Sequence, residues 1–327
     1  MGGAVVNPPS RATRIVVALG VAIAAAVVAW VKIQQNGLLY DFAYFWVAGR
    51  ALLAGGDPYA AVQPGGVQFG EIRFDNWFMY TLPAAMGGAT VAWLPQIAAS
   101  VVFVAGSFGL LAFALSAEGW WRLPILMSAP ALWCMTTGQW APLTLAAAMT
   151  PVFAWAAVAK PTLGFAAFAY RPSWRFVWIA VATVCVTLLL RPSWPMHWWA
   201  AAHKTASINY TIPLLQPFGW LLALAALRWK TSEGRLLLAM ACAPQSMLMY
   251  DQFPLLLIAR TRIEAIAFSL WSYLVPWSMV FVTTRPTADT KAETLPYMAH
   301  VLTLTMYLPA LAVVLTRRAA AEKLPSK

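Results

Sequence analysis

Residues 14–33 read RIVVALGVAIAAAVVAWVKI, in which Arg14 and Lys32 enclose the uncharged apolar run 15–31. A helix that crosses a bilayer needs about 20 predominantly apolar residues, and this stretch supplies them. A cleaved signal peptide has a shorter apolar core that is followed by a cleavage site of small residues. Because no such site precedes Lys32, we expect a retained first helix that anchors the chain in a membrane.

The composition of the whole chain agrees with a bilayer as its surroundings. Of the 327 residues, 61% are hydrophobic and only 10% are charged. A soluble fold of this size needs a charged surface that so few ionisable side chains cannot provide, which excludes a cytosolic enzyme. The 22 Lys and Arg outnumber the 11 Asp and Glu, but they gather at the ends of apolar segments. That pattern is typical of membrane orientation, so we expect no nucleic-acid partner.

Apolar segments recur along the chain. We count about twelve, at residues 14–33, 77–94, 97–116, 123–136, 141–159, 161–170, 174–190, 213–227, 236–249, 252–259, 263–282 and 294–315. Several are too short to span a bilayer alone, so some pair as half-helices inside the protein. No long polar linker divides the chain. The sequence therefore predicts one all-α membrane domain over residues 1–327, polytopic, with about 10–12 transmembrane helices.

The positions of Lys and Arg predict the orientation of these helices. If the N-terminus is cytoplasmic and every segment crosses, four basic groups lie inside: Arg171 with Arg175, Arg228 with Lys230 and Arg235, Arg260 with Arg262, and Arg317 with Arg318 and Lys323. Both termini are then cytoplasmic, in a multi-pass protein of a bacterial inner membrane. The outer side receives the polar loop 34–76, which holds Asp41, Asp57, Glu71 and Asp75 against Arg50 and Arg73.

Within this first outer loop, residues 41–54 have the apolar spacing of an amphipathic helix. The sequence Gly55-Gly56-Asp57-Pro58 then ends it. Because the helix is too short and too polar to span, we expect it to lie at the membrane surface, with its aromatic rings among the headgroups. Asp57 has a structural role in this interpretation, as the hydrogen-bonding residue of the turn.

Asp41 is the first candidate for chemistry, because carboxylates at a membrane boundary are costly. It follows the first helix and has Tyr40, Phe42, Tyr44 and Trp46 as neighbours. Shielding by these rings raises a carboxyl pKa and suits the group to act as a general base toward a hydroxyl. The alternative is that Asp41 caps the surface helix by accepting from a backbone N–H.

The loop also resembles a known family. Residues 41–59, DFAYFWVAGRALLAGGDPY, are similar to the first-loop signature of glycosyltransferase family 87, membrane enzymes of the GT-C type. Four shorter motifs resemble the family's in the same order: FMYTLP at 78–83, Gly138-Gln139, Lys160-Pro161 and Tyr250-Asp251. The resemblance implies a GT-C-like fold, an active site under the first outer loop and a catalytic Asp at the start of that loop. In this sequence that position is Asp41.

The resemblance further implies transfer of mannose or a related sugar from a polyprenyl-phosphate donor to an acceptor hydroxyl. Such a reaction needs one base and some cations for the departing phosphate, with no cofactor beyond the donor substrate. For the phosphate we nominate Lys160 and Arg50; the alternatives are a helix-end lysine and a headgroup contact. Asp251 orders the site or binds a sugar hydroxyl, unless it merely caps a helix. Gln139 and Tyr44 are further substrate-binding candidates.

Residues 191–211 hold a second group of candidates. His197, Trp198, Trp199, His203 and Lys204 suit stacking on a sugar ring and contact with an anionic lipid, although aromatic belts have the same composition. From this group we take His197 and Lys204 as substrate-binding residues. The separation of the two His is not a metal-ligand spacing on a helix, so we predict no metal site.

Two other classes of function fit the same features. A transporter or flippase of lipid-linked sugars uses broken helices and buried charges for passage, but often has two matching halves, and we detect no internal repeat here. The other class is a catalytically inactive accessory subunit of a membrane assembly. The partners that the main hypothesis implies are membrane lipid, a polyprenyl-phosphate sugar donor and a lipid or glycan acceptor.

Overall fold

The structure, a computed structural model, describes residues 9–65, 72–283 and 294–317. These ranges are mostly helical, and their isolated antiparallel bridge joins Thr211 and Gln245. The α-helices are α1 (Arg11–Asn36), α2 (Tyr40–Leu53), α3 (Pro58–Ala61), α4 (Leu82–Ala89), α5 (Gln96–Leu115), α6 (Ala129–Thr137), α7 (Ala141–Met149), α8 (Ala154–Ala159), α9 (Pro161–Tyr170), α10 (Trp174–Leu190), α11 (Trp194–Asn209), α12 (Ser232–Cys242), α13 (Arg262–Trp271), α14 (Leu274–Thr283), α15 (Thr294–Leu302) and α16 (Leu308–Thr316). Tighter 3₁₀ helices occupy Ser116–Glu118, Trp120–Met127, Pro151–Phe153, Pro213–Leu215, Gly219–Arg228 and Met249–Ile258, and a π-helical turn occupies Thr303–Tyr307.

Four helical stretches are long and apolar enough to cross a membrane: Arg11–Asn36, Gln96–Glu118, Arg262–Val280 and Pro296–Thr316. A fifth candidate is α10 together with Trp194–Lys204, a pair that bends by 103° at a short break. Helices of this length and composition are those of an integral membrane protein with a helical fold.

The other segments that the sequence predicted as spans are shorter helices. Proline explains where several begin, since Pro83, Pro130, Pro142 and Pro161 lie in the first turn of α4, α6, α7 and α9. Proline fits a helix start, where its missing N–H is not needed, and breaks a helix interior. Against the predicted 10–12 crossings, the described residues contain four helices of spanning length and one bent pair.

The first helix packs on α5 and leaves most of its surface free for lipid. Its buried residues are Ala18, Ala25, Ala29 and Ile33. Small residues let membrane helices approach closely, and a Cβ on Gly109 of α5 would lie 3.1 Å from the Ala22 methyl group. Arg14 donates to the Phe113 carbonyl. The N-terminus of α1 therefore meets the C-terminus of α5, and the two helices are antiparallel.

The helix α2 is buried in the protein rather than laid on the membrane surface, which corrects our prediction. Nine of its 14 residues are buried, including all four aromatic rings from Phe42 to Trp46. It crosses α4 so closely that a Cβ on Gly49 would lie 2.5 Å from the Ala89 nitrogen. Because glycines let α4 cover α2, the aromatic rings of α2 are stabilised more by packing in the core than by the headgroup layer.

The basic groups predicted on the cytoplasmic side are brought together by ion pairs and carbonyl contacts between helix ends. The ion pairs are Arg122 and Arg171 with Glu118, Arg260 with Glu233, and Arg317 with Glu264. Arg228 also donates to the Leu315 carbonyl. Because cytoplasmic loops carry an excess of Lys and Arg, this end remains our predicted cytoplasmic end. Glu71, Arg318 and Lys323 lie outside the described residues.

Candidate active site

Asp41 lies in the first turn of α2 and binds side chains rather than backbone. Its Oδ2 accepts a hydrogen bond of 2.7 Å from the side-chain nitrogen of Gln139. The Thr137 hydroxyl, which donates to the Trp133 carbonyl over 2.9 Å, is also close enough to the carboxylate to lower its pKa. The helix begins after Leu39 without a side-chain cap, so the capping alternative does not describe Asp41.

Gly138 explains how Gln139 reaches this carboxylate. It ends α6 in the left-handed conformation, with φ of 76°, which residues with a Cβ adopt at a cost. A Cβ at this position would also lie 2.6 Å from the Cβ of Phe42 on α2. Glycine therefore permits both the turn and the close approach of α2, and the next residue along the chain meets Asp41.

The surroundings of Asp41 change its affinity for a proton. Burial raises the pKa of the carboxyl group above its usual value, while the Gln139 hydrogen bond and the charge of Lys160 act in the opposite direction. The residue as a whole is half-buried, so part of it remains accessible. A desolvated but accessible carboxylate with a raised pKa has the properties of a general base.

Lys160 and Asp251 form an ion pair in the interior. The two residues are 5% and 1% exposed, and the Lys160 ammonium group donates to Asp251 Oδ1. Ser246 donates to the other carboxylate oxygen. The Lys160 nitrogen also lies 4.7 Å from the centre of the Tyr250 ring. Buried charges persist in this form because each is balanced by the other and by hydrogen bonds.

Tyr80 connects the ion pair with Asp41. Its hydroxyl lies 3.5 Å from Gln139 Oε1, in position to donate, and its ring centre lies 5.9 Å from the Lys160 nitrogen. The Tyr59 hydroxyl donates to the Tyr80 carbonyl and fixes the backbone there. Contacts therefore run continuously from Asp41 through Gln139 and Tyr80 to Lys160.

A cavity of about 280 Å³ lies beside Lys160. Its lining includes four aromatic side chains and one imidazole: Tyr80, Trp198, Trp199, Tyr210 and His203. The helix α11 supplies three of these residues, because the sharp bend after α10 turns it across the cavity. The Trp198 indole donates to the Met79 carbonyl over 2.9 Å and holds α11 in place.

Four of the predicted site residues, Asp41, Gln139, Lys160 and Asp251, thus lie in one cluster. Tyr44 is one turn from Asp41 on the same helix, and its hydroxyl contacts that of Tyr40 over 3.4 Å.

Three other predicted residues lie away from the cluster. Arg50 is exposed, with its guanidinium 5.0 Å from the Trp46 ring. It lies nine positions after Asp41 in α2, about 13 Å along the helix axis. His197 Nδ1 lies 3.1 Å from Asp57 Oδ2, and the Lys204 nitrogen lies 5.4 Å from the Trp77 ring.

Asp57 has the structural role that the sequence predicted. Its side chain caps the short helix α3 by accepting from the Tyr59 backbone nitrogen over 3.0 Å. Its second carboxylate oxygen faces His197, which connects α11 with the loop that follows α2.

Three residues of the site were not predicted from the sequence. Thr137 contacts Asp41, Ser246 contacts Asp251 and Tyr210 lines the cavity. Hydroxyl residues are common in apolar helices and carry no motif. The available signals were the positions of Thr137 beside Gly138-Gln139 and of Ser246 five residues before Asp251.

Within the parts of the chain that the structure describes, no group of three His, Cys, Asp or Glu side chains could hold a metal ion. No family model, no curated protein and no solved structure matches the chain. Fold and site together define a class of protein: a helical membrane protein with a carboxylate and a buried ion pair beside an aromatic cavity.

Proposed function

We propose that this protein is a membrane glycosyltransferase with a GT-C-like fold. It moves a hexose, mannose in our hypothesis, from a polyprenyl-phosphate donor to a hydroxyl of a lipid or glycan acceptor on the outer face. The observation that carries the proposal is the Asp41 carboxyl, which has a raised pKa, is oriented by Gln139 and lies in the field of Lys160. The motifs that resemble glycosyltransferase family 87 support it from the sequence.

In the proposed reaction, Asp41 accepts the proton of the acceptor hydroxyl. The acceptor oxygen forms a bond to the anomeric carbon on the side opposite the phosphate. The bond between that carbon and the phosphate oxygen breaks, and polyprenyl phosphate leaves with the electron pair. A single displacement of this kind inverts the anomeric configuration. Gln139 fixes the carboxylate so that one oxygen faces the incoming hydroxyl, which lowers the entropic part of the barrier.

The departing phosphate needs hydrogen-bond donors or cations near it. The two cations nominated from the sequence are placed differently from our expectation, since Lys160 is paired with Asp251 and Arg50 is remote from Asp41. We therefore assign contact with the phosphate to the exposed basic residues of α11, His203 and Lys204, so that the phosphate stays at the exposed edge of the cavity and does not enter beside Lys160. His203 lines the cavity, and Lys204 is its neighbour in the chain.

Reconstitution in liposomes tests this function. The purified chain is incorporated into vesicles together with a polyprenyl-phosphate mannose labelled in the sugar and with a lipid extract as acceptor. We expect labelled product, formed with inversion at the anomeric carbon. Movement of the labelled donor between leaflets without product would support a flippase instead. The absence of both would support an accessory subunit, and either result would overturn the proposed enzyme.

A further inference from the structure

The cavity beside Lys160 is electrically balanced, although a lysine lines it. Lys160 is the ammonium group of the lining, and its charge is compensated by Asp251, which pairs with it and is not part of the lining. Both residues are nearly inaccessible, at 5% and 1% exposure. Because they attract each other in a medium of low dielectric constant, the field that reaches the cavity is that of a dipole rather than of a free cation.

Such a cavity disfavours an anion. A phosphate group must lose its hydration on entry, and this loss is large for a charged group unless a free opposite charge replaces the water. Asp251 already takes up the charge of Lys160, and its own negative charge repels a second anion. His203 is the other basic side chain of the lining, and because it is exposed, a donor phosphate that contacts it keeps its water and stays outside the part of the cavity beside Lys160.

The size and walls of the cavity fit a small neutral ring. Pockets for drug-sized ligands measure about 300–1,000 Å³. This cavity measures about 280 Å³, just below that range, which suits a ligand of one ring. Tyr80, Trp198, Trp199 and Tyr210 offer aromatic faces. The Tyr80 and Tyr210 hydroxyls and the Trp198 indole donate to Gln139 and Met79, so these rings serve the ligand by packing. A pyranose ring has C–H faces that pack on aromatic rings and hydroxyl groups that accept hydrogen bonds from an ammonium group.

We propose that this cavity is a subsite for one uncharged pyranose ring, and that the Lys160–Asp251 pair makes the subsite selective for neutral over anionic ligands. Lys160 donates to a ring hydroxyl, while Asp251 keeps the charge of Lys160 balanced. The assignment of this ring as the transferred sugar rests on the proposed function. The preference for a neutral ring rests on the charge and shape of the cavity alone.

Binding experiments that do not depend on catalysis test this subsite. The full-length protein in lipid nanodiscs is titrated with methyl α-mannopyranoside and methyl β-glucopyranoside, whose binding is followed by saturation-transfer NMR. Inorganic phosphate is measured by its ability to displace the bound glycoside in the same experiment. We expect at least one methyl glycoside to bind about tenfold or more tightly than phosphate. Phosphate binding that equals or exceeds that of both glycosides, or no glycoside binding at all, would overturn the inference.

The substitution Asp251→Asn tests the role of the pair. It removes the balancing charge and leaves Lys160 cationic, so we expect phosphate affinity to rise by about tenfold relative to the unmodified protein. The double variant Lys160→Gln with Asp251→Asn is neutral again and should keep the preference for the glycoside, even if the single variant folds poorly. Asp75→Asn, a matched change at an exposed carboxylate outside the cavity lining, should leave both affinities unchanged. A phosphate affinity that does not rise in folded Asp251→Asn protein would contradict the proposed selectivity.

These measurements separate the two proposals. Glycoside binding without sugar transfer in liposomes would leave the subsite standing and remove the transferase. Sugar transfer by a protein that prefers phosphate in this cavity would leave the transferase standing and remove the subsite.

Discussion

The side-chain nitrogen of Gln139 lies 2.7 Å from Asp41 Oδ2, although the two residues are 98 positions apart in the chain. The helix α2 and the turn after α6 therefore meet at one carboxylate. Burial raises the pKa of that carboxyl, and the Gln139 hydrogen bond opposes the rise. The balance between these two effects sets the pH range in which Asp41 can accept a proton.

Gln139→Leu should change the pH dependence of sugar transfer. Without this hydrogen bond one influence that lowers the pKa of Asp41 is lost, so the pKa rises and the carboxylate is protonated at a higher pH. A general base works only in its ionised form, and the acidic limb of the pH–rate profile should move to higher pH. Gln35→Leu, at an exposed position of α1, is the control and should not move it. An unchanged acidic limb in Gln139→Leu would show that Gln139 does not influence the pKa of the base.

Much of this site follows from local sequence. Gly138-Gln139 works because glycine alone tolerates both the left-handed turn and the contact with Phe42, and this requirement is visible as a motif. Asp57 before Pro58 also predicts its own role as a cap. In each case the residue type and its immediate neighbours determine the geometry.

Long-range packing could not be predicted from the sequence. The aromatic residues of α2 have the same spacing in a surface helix and in a buried one, and only the crossing with α4 decides between them. The pairing of Lys160 with Asp251 likewise depends on two segments 91 positions apart. Hydropathy predicted about twelve apolar segments. It did not show that the proline-initiated helices α4, α6, α7 and α9 are shorter than a membrane span, because their composition is as apolar as that of a span.

The crossing of α2 and α4 should be intolerant of a methyl group. Gly88→Ala places a Cβ 2.1 Å from the Phe45 carbonyl oxygen, so one helix must move. Overpacking of this kind costs about 1–3 kcal/mol, and we expect a lower midpoint of thermal unfolding in detergent. Gly106→Ala is the matched control, because a Cβ at that position of α5 meets nothing within 4 Å. Equal midpoints of thermal unfolding for the two variants would contradict the close approach of α2 and α4.

Glu233 should stabilise the charged end of the molecule in a pH-dependent way. Burial alone would raise the pKa of its carboxyl, but the hydrogen bonds and charge of Arg260 outweigh burial and hold the pKa below the ordinary value of 4.5. A carboxyl with a depressed pKa stabilises the fold above its unfolded pKa, and this stability is lost as the pH falls through the lower, folded pKa. Glu233→Gln should therefore unfold at a lower temperature than the unmodified protein at pH 7. Charge-assisted hydrogen bonds of this kind contribute about 1.5–3 kcal/mol.

The difference in unfolding temperature between Glu233→Gln and the unmodified protein should narrow as the pH is lowered below 4.5. The measurement is thermal unfolding followed by circular dichroism over a series of pH values. A difference that stays constant down to acidic pH would mean that the ion pair with Arg260 does not stabilise the folded state.

The measurement that tests the central claim most directly is the initial rate of sugar transfer by Asp41→Asn in liposomes, beside the unmodified protein and Asp75→Asn. Asparagine keeps the size of the side chain and can still contact Gln139, but it cannot take a proton from the acceptor hydroxyl. A positioned general base contributes about 10²–10⁴-fold to a rate, so Asp41→Asn should lose at least about 100-fold while Asp75→Asn keeps the unmodified rate. Transfer by folded Asp41→Asn at the rate of the unmodified protein would contradict the assignment of Asp41 as the base.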